Sequence, residues 1–230
     1  KHRLLSKYSQ QFWNSDALND FDGNVSSFTV DSQELLALDH GTISVKNSVV
    51  PYFRDGVLRC KIKRVGGDCG WVIRRINGEW TNYRIFFDGG AQLHVTRVKP
   101  NGETADIFVS SSMNLPSGFF PVEIKFVEDR ITVDVNDGAY VFFVVDSDPL
   151  LNSGGVGIYS YFGVNGRWDD FQIWSETAPD EYGMIVKWDQ SGSAVRLGLD
   201  KIVFPEGSIP SPKNSPVFIV TPFKAQTIKT

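Results

Sequence analysis

The chain has 230 residues, of which 41% are hydrophobic and 13% are aromatic, enough for one large β domain or for a smaller domain with an appendix. Its formal net charge of −4 provides no basic field that would attract nucleic acid or an anionic membrane. No apolar run approaches the roughly 20 residues of a membrane-spanning helix. We therefore expect neither nucleic acid nor insertion into a membrane among its interactions.

The first 40 residues carry weak signals. Residues 1–20 are polar and irregular, which predicts a connector from a preceding segment, and residues 32–39 (SQELLALD) suggest a short helical turn. The chain begins at Lys1 with neither an initiator Met nor a signal peptide. We expect it to be a module of a larger polypeptide or a mature form.

From Gly41 onward, apolar residues tend to recur at every second position, and the interruptions carry Gly, Asn, Asp or Pro. This pattern is typical of antiparallel strands that bury one face. The turns at 66–68, 77–78, 88–90, 101–102 and 136–138 supply Gly or Asn where a hairpin needs a positive φ. Strands are predicted near 41–46, 56–65, 70–76, 80–87, 91–98, 105–110, 120–127, 130–135, 139–146, 156–162 and 168–174.

After Trp174 the composition changes. Residues 175–181 are typical of a linker, short strands follow, and five of the eleven prolines lie between Pro205 and Pro222. Because proline cannot donate to a strand ladder, we expect edge strands or extended segments there. The predicted organisation is a connector over 1–20, a sandwich over 21–175, and a small β extension over 176–230. About 50 residues of this kind fold poorly alone, so we expect the extension to pack on the sandwich or on a partner chain.

The two cysteines are predicted to be free thiols. If residues 66–68 form a hairpin turn, Cys60 faces roughly Arg74 and Cys69 faces roughly Val65, a separation too large for a disulfide. Free thiols indicate folding in a reducing compartment. This argues against secretion and fits a particle that is assembled in a cytoplasm and released by lysis. We therefore expect an extracellular or virion location that is reached after folding in a reducing cytoplasm.

Several stretches together suggest a known architecture. They are Gly70-Trp71-Val72-Ile73-Arg74, Tyr83-Arg84-Ile85, the strand pair ITVDVNDGAYVFFVVDSD, Gly155-Val156-Gly157, and Asp169-Asp170-Phe171. In this order they resemble concanavalin-like jelly rolls, in particular laminin-G-like domains and the non-catalytic carbohydrate-binding modules attached to levanases. The resemblance covers roughly residues 20–175. It implies an all-β, two-sheet antiparallel jelly-roll sandwich and suggests sugar binding, although Asn82 stands where many members carry a second aromatic residue.

Catalytic signatures are missing from the sequence. None of the three histidines (His2, His40 and His94) lies in a nucleophile or HExxH motif. Carboxylate pairs occur, but the E-x-D-x-x-E spacing that places two acids on one face of a single strand does not. The sequence therefore predicts a protein that is not an enzyme.

A carbohydrate site is predicted on two neighbouring strands. Alternation places Trp80, Asn82 and Arg84 on one strand face, with His94 next along, while Trp71 and Arg75 share a face of the preceding strand. Aromatic rings stack on sugar C–H faces, and Arg and Asn side chains bond sugar hydroxyls. The resemblance adds Arg74 and Tyr83 to this set. The alternative is that the tryptophans pack in the core or at its rim and that the arginines pair with surface acids.

Calcium is the one cofactor that the sequence suggests. It needs several hard oxygen ligands, such as carboxylates. Asp22 and Asp169, together with Asp20 and Asp170, are candidates if the first and last strands are neighbours, as they often are in jelly rolls. The resemblance includes members with a structural calcium.

The predicted function is non-catalytic carbohydrate binding within a larger extracellular or virion protein, for example a bacteriophage tail component that attaches to a host. Its expected partners are a glycan or cell-surface polysaccharide, and other copies or neighbouring chains of an assembly. Two alternatives remain: a purely structural protein–protein interaction domain, and an accessory module of a secreted glycoside hydrolase.

Overall fold

Strands account for most of the chain. The computed structural model describes residues 6–150, 152–161, 166–175, 184–188, 194–195, 217–221 and 224–228. Residues Leu5–Glu176 form one compact unit, and the strands beyond them belong to a second. The strands of the first unit are β1 Ser6–Gln10, β2 Phe21–Gly23, β3 Phe28–Asp31, β4 Glu34–Ala37, β5 Gly41–Val45, β6 Gly56–Arg64, β7 Asp68–Arg75, β8 Asn82–Phe87, β9 Leu93–Val98, β10 Thr104–Val109, β11 Phe120–Val127, β12 Arg130–Val135, β13 Tyr140–Val145, β14 Gly155–Tyr161 and β15 Gly166–Ser175. Two short 3-10 helices cover Ser15–Asp20 and Val25–Ser27.

The strands of the first unit form two antiparallel sheets. The eight-stranded sheet has the order β13-β12-β11-β6-β15-β4-β3, with β1 also paired to β15. The seven-stranded sheet has the order β10-β9-β8-β7-β14-β5-β2. Buried apolar residues from both sheets form one cluster. The fold is therefore the predicted all-β, two-sheet jelly-roll sandwich.

The alternation in β11 and β12 is the one predicted from the sequence. Ile124 and Val133 are paired across the two strands and are both fully buried, whereas Glu123 next to Ile124 is on the opposite face. The turn that follows β12 contains Asn136 and Asp137 with φ of 56° and 52°. Period-two alternation and turn chemistry thus identify these strands correctly.

Two predictions near the N-terminus are wrong. Residues 6–20 are part of the sandwich rather than a connector, because Ser6–Gln10 pairs with β15 and Phe12 is fully buried. Residues 32–39 contain a strand rather than a helical turn. Ser32 and Gln33 turn the chain with positive φ, and β4 then pairs with β3, which places Leu35 in the core.

A β-bulge interrupts β7. The register with β14 shifts between the pairs Gly155↔Arg75 and Gly157↔Val72, and Arg74 has a φ of 53°. Two residues of β7 thus oppose one residue of β14. As a result Arg75 lies on the same face as Val72, so the prediction that it shares a face with Trp71 is wrong.

Cys60 and Cys69 are free, as predicted, and both are buried. The predicted hairpin between their strands is wrong, however, because β6 and β7 belong to different sheets. Burial raises the pKa of the Cys69 thiol to about 12, and burial also raises the pKa of Cys60.

The second unit contains a four-stranded antiparallel sheet of the order β17-β16-β18-β19. Its strands are β16 Met184–Trp188, β17 Ala194–Val195, β18 Val217–Thr221 and β19 Lys224–Ile228. A small C-terminal β extension is therefore present. The five prolines from Pro205 to Pro222 lie outside the described residues. Within the described segments, no helix is long and apolar enough to cross a membrane.

Candidate carbohydrate-binding face

The seven-stranded sheet has one face that points away from the core, which we call the outer face. Cross-strand pairing aligns its side chains in rows, and residues opposite one another on adjacent strands are close enough to interact. One row contains, in order, Asp22, Ser44, Gly157, Val72, Arg84, Thr96 and Asp106. The next row contains Thr42, Tyr159, Gly70, Phe86 and His94.

Three rings of the second row form a continuous aromatic surface, which we call the aromatic row. The Phe86 and His94 rings stack with centroids 4.9 Å apart and planes 11° from parallel. Phe86 also meets Tyr159, at 5.4 Å between centroids, across Gly70. A Cβ atom at Gly70 would lie 2.1 Å from the carbonyl oxygen of Ile85, so only glycine fits between the two rings.

Arg84 lies beside the aromatic row, with its Cζ atom 5.1 Å from the centroid of the Tyr159 ring. This is the geometry of a cation–π contact. Its Nε atom is buried and has no hydrogen-bond partner, and no carboxylate of the described residues forms an ion pair with it. Burial raises the pKa of Tyr159, and the neighbouring Arg84 cation opposes that rise.

Arg75 is a second cation on the outer face. Its guanidinium donates hydrogen bonds to two neutral oxygens, Ser44 Oγ at 2.8 Å and Asn77 Oδ1 at 3.4 Å. Burial lowers the pKa of Arg75, and Tyr52 and Asp22 counteract that effect. Among the described residues no carboxylate forms an ion pair with Arg75 either. The outer face therefore carries two arginines that form no ion pair with a described carboxylate, although the charge of Asp22 acts on Arg75.

Acidic groups surround the far end of the aromatic row. His94 Nε2 lies 3.5 Å from Asp88 Oδ2, and His94 Nδ1 lies 3.7 Å from Asp106 Oδ2. Asp106 also accepts a hydrogen bond from the Thr96 hydroxyl. Burial, and then the charge of Asp88, raises the pKa of Asp68 nearby. His94 thus lies between two carboxylates at this end of the face.

Four of the predicted sugar-binding residues lie on this face or at its margin. Asn82, Arg84 and His94 point outward as predicted. Trp80 precedes β8 and is 63% exposed. Asn82 is only 4% exposed, and its side-chain amide donates to the carbonyl oxygen of Trp80. Asn82 is therefore placed to position Trp80 rather than to contact a ligand directly.

Arg74 is not on the outer face, so its predicted contact with a sugar is wrong. Its side chain is 1% exposed. It donates at 2.7 Å to the carbonyl oxygens of Arg54, Glu128 and Leu150, and it forms a 3.1 Å ion pair with Asp55. The bulge turns this residue inward, where its hydrogen bonds connect three loops to β7.

Tyr83 is likewise a core residue, and its predicted contact with a sugar is wrong. Its ring is fully buried because it alternates with the outward-facing Asn82 and Arg84. Its hydroxyl donates to Asp146 Oδ2 at 2.7 Å and accepts from the Leu150 amide at 2.8 Å.

The proposed calcium ligands do not come together. Asp22 lies in β2 of the seven-stranded sheet, whereas Asp169 lies in β15 of the eight-stranded sheet. Asp170 forms an ion pair with Lys61, and Asp20 accepts a hydrogen bond from Tyr8. In the described part of the chain, no group of three or more His, Cys, Asp or Glu residues could hold a metal ion.

The sequence patterns did not place three of the outer-face residues in the candidate site. Phe86 carried a usable signal, since it is two residues from Arg84 and therefore shares its face. Arg75 required knowledge of the bulge. Tyr159 required knowledge that β14 lies beside β7, which no local pattern gives.

Comparison with known proteins supports the fold. No protein-family model matches the chain, and no curated protein matches it. A carbohydrate-binding module from Bacillus subtilis, CBM66, is similar with a TM-score of 0.56 and 10% identity, over 68% of this chain and 96% of that one. A β-1,3-1,4-glucanase (lichenase) from a mouse hindgut metagenome also has a TM-score of 0.56 and 10% identity, over 74% and 99%. A protein of unknown function with a galectin-like fold, from Bacillus subtilis, has a TM-score of 0.54 and 10% identity, over 74% and 96%. The chain therefore has a concanavalin-like jelly-roll fold.

Proposed function

We propose that the protein is a non-catalytic carbohydrate-binding module that holds its glycan on the outer face of the seven-stranded sheet. The observation that carries the proposal is the position of Arg84 against Tyr159, beside the ring pair of Phe86 and His94. The solved structures with this fold include a carbohydrate-binding module, which supports a carbohydrate-related role.

The chemistry of this face suits a sugar. A sugar ring offers C–H groups that contact aromatic surface and hydroxyl oxygens that accept from guanidinium donors. Arg84 and Arg75 are half-buried to buried and form no ion pair with a described carboxylate; Arg75 donates to neutral oxygens, and the Nε atom of Arg84 has no partner. Trp80, exposed at the end of β8, adds a ring on which a second sugar unit can stack.

The arrangement of the carboxylates favours binding over hydrolysis. Glycoside hydrolysis needs two carboxyl groups with the glycosidic bond between them. Asp88 and Asp106 lie on opposite nitrogens of His94, so the imidazole fills the space between them. We place the module in a larger extracellular or virion protein, and the two free thiols favour folding in a reducing cytoplasm before release.

A glycan array with the module displayed in multiple copies, followed by calorimetry on each hit, tests the proposal. A shallow face with few anchors should give dissociation constants from about micromolar to millimolar, or roughly 4–8 kcal/mol. Arg84→Ala should weaken binding about tenfold or more, because the charged donor is lost. Trp80→Ala should weaken binding of longer glycans without unfolding the protein, because its ring is exposed.

The matched control is Arg59→Ala. The Cζ atom of Arg59 lies 5.1 Å from the centroid of the Trp174 ring, the same cation–aromatic distance as at Arg84, but on the eight-stranded sheet. This control should bind like the wild type. Loss of binding in Arg59→Ala with retention in Arg84→Ala would move the site to the other sheet. A wild-type module that binds no glycan on a broad array would refute the proposal.

A further inference from the structure

Strand β13 forms one edge of the eight-stranded sheet, and its outward side chains are apolar. Val141, Phe143 and Val145 are 42%, 78% and 61% exposed. The strand has no charged residue and no proline. Its pairing with β12 runs without a register shift over all six residues. The edge is thus straight, uncharged and apolar.

The same three residues also present free backbone groups. The amide of Asp146 donates to the carbonyl oxygen of Asp129, which fixes the hydrogen-bonding pattern between β12 and β13. In an antiparallel pair this pattern alternates, so Tyr140, Phe142 and Val144 bond to β12. The N–H and C=O groups of residues 141, 143 and 145 therefore point away from the sheet. No backbone hydrogen bond from another described segment reaches them.

The other edges of the two sheets are protected against strand addition. The register of β10 shifts between Asp106 and Phe108, and that of β1, which among the described strands pairs only with β15, shifts between Ser6 and Tyr8. Strand β2 has only three residues, and β3 has four and carries Asp31, which pairs with Arg167. Short strands, bulges and charges are the usual ways in which proteins prevent edge-to-edge pairing. Strand β13 has none of these protective features, so its edge is open to pairing with another strand.

We propose that β13 pairs with β13 of a second copy of this chain, antiparallel and about a two-fold axis at Phe143. Around that axis Phe143 meets Phe143 of the second copy, and Val141 meets Val145 of the second copy. The outward sequence Val-x-Phe-x-Val reads the same in both directions, as an isologous interface requires. No like charges become opposed, because the strand carries none.

Such pairing would satisfy the free backbone groups and cover the apolar side chains in one step, as in β-strand addition between proteins. It joins two eight-stranded sheets edge to edge and does not use the outer face of the seven-stranded sheet. A six-residue strand pair is a small interface, so we expect a dissociation constant in about the micromolar to millimolar range. The inference does not depend on the proposed function.

Disulfide trapping in the full chain tests the register. In a hydrogen-bonded antiparallel pair the two Cα atoms are about 5.5 Å apart, within the range of a disulfide. Phe143→Cys should therefore form a covalent dimer on mild oxidation. The native Cys60 and Cys69 are buried and should not interfere. Val65→Cys, at a loop position that is 59% exposed, is the matched control and should stay largely monomeric.

A mixture of two further variants tests the axis position. Val141→Cys and Val145→Cys should cross-link to each other in the mixture. Neither should cross-link comparably alone, since two copies of the same position lie about 14 Å apart along the strands. Efficient cross-linking by Val65→Cys, or none by Phe143→Cys, would overturn the proposal.

Sedimentation equilibrium tests the same interface without cysteines. The average mass of the wild type should rise toward twice the monomer mass up to about millimolar concentration. Phe143→Lys should weaken association about tenfold or more, because a charged edge blocks pairing. Val65→Lys should have no effect, and both variants should melt like the wild type because these side chains are exposed. A wild type that stays monomeric, or association that survives Phe143→Lys, would overturn the proposal.

Discussion

Arg74→Ala should destabilise the sandwich strongly, because this side chain is buried and its guanidinium is fully used. Removing it leaves three carbonyl oxygens without this donor and takes a cation away from the Asp55 carboxylate, which keeps its hydrogen bonds from Arg54 and from the Glu128 amide. A hydrogen bond to a charged group contributes about 1.5–3 kcal/mol, and breaking a buried ion pair costs about 3–5 kcal/mol. The contacts share one side chain and do not add independently. We therefore expect the free energy of unfolding to fall by about 4 kcal/mol, a large part of the roughly 5–15 kcal/mol of an ordinary domain.

Urea unfolding followed by tryptophan fluorescence measures this loss, since Trp71 and Trp168 are fully buried and report on the core. Arg59→Ala is the control, and it should cost less than about 1 kcal/mol because its ion pair with Glu123 is exposed. A loss below about 1 kcal/mol for Arg74→Ala would show that its four contacts do not hold the loops. Under conditions where it is folded, Arg74→Ala should keep any glycan affinity of the wild type.

Three further predictions concern the core, the thiols and one carboxylate. Ile124→Ala should lower the free energy of unfolding by about 2–4 kcal/mol, and a urea-melt loss below about 0.5 kcal/mol would contradict its core position. Cys60 and Cys69 should react with a thiol reagent only after unfolding, since burial raises the pKa of both; rapid labelling of the native protein would disprove this. The pKa of Asp68 is raised on folding, by burial and then by Asp88, so its ionised form costs stability once the pH rises through that pKa. Asp68→Asn should therefore raise the melting temperature at neutral pH, and the gain should vanish in acid where the wild-type carboxyl is protonated.

The strands that the sequence predicted well depend on local signals. The run from β11 to β13 alternates with period two, and its turn at 136–138 has positive φ at all three positions, as Asn, Asp and Gly indicated. Strand β1 could not be found this way. Its residues are mostly polar, and its place depends on pairing with β15, more than 150 residues away in the sequence. Period two in a strand of four residues, such as β4, is also too short to distinguish from a helical turn.

The candidate site was predictable where alternation decided the face and unpredictable where it did not. Asn82 and Arg84 are two residues apart in β8 and therefore share a face, and the same alternation places Tyr83 on the opposite face. The family resemblance suggested Tyr83 as a ligand-binding residue, but the alternation along β8 correctly predicts that it faces the core. For Arg74 the alternation predicts the wrong face, because the bulge interrupts the alternation within β7. The sequence of β7 alone does not reveal that two of its residues lie opposite a single residue of β14.

The arginines of β7, β8 and β9 show how the fold separates structure from recognition. Arg74 and Arg97 lie within the sandwich, and each has a carboxylate partner, Asp55 and Asp146 respectively. Arg75 and Arg84 lie on the outer face and have none among the described residues. A cation that is partly removed from water without a counter-charge costs free energy unless other acceptors reach it. The two inner arginines recover that cost within the molecule. Arg75 recovers part of it from Ser44 Oγ, Asn77 Oδ1 and the charge of Asp22, and under the proposed function Arg84 recovers it from the oxygen atoms of a bound glycan.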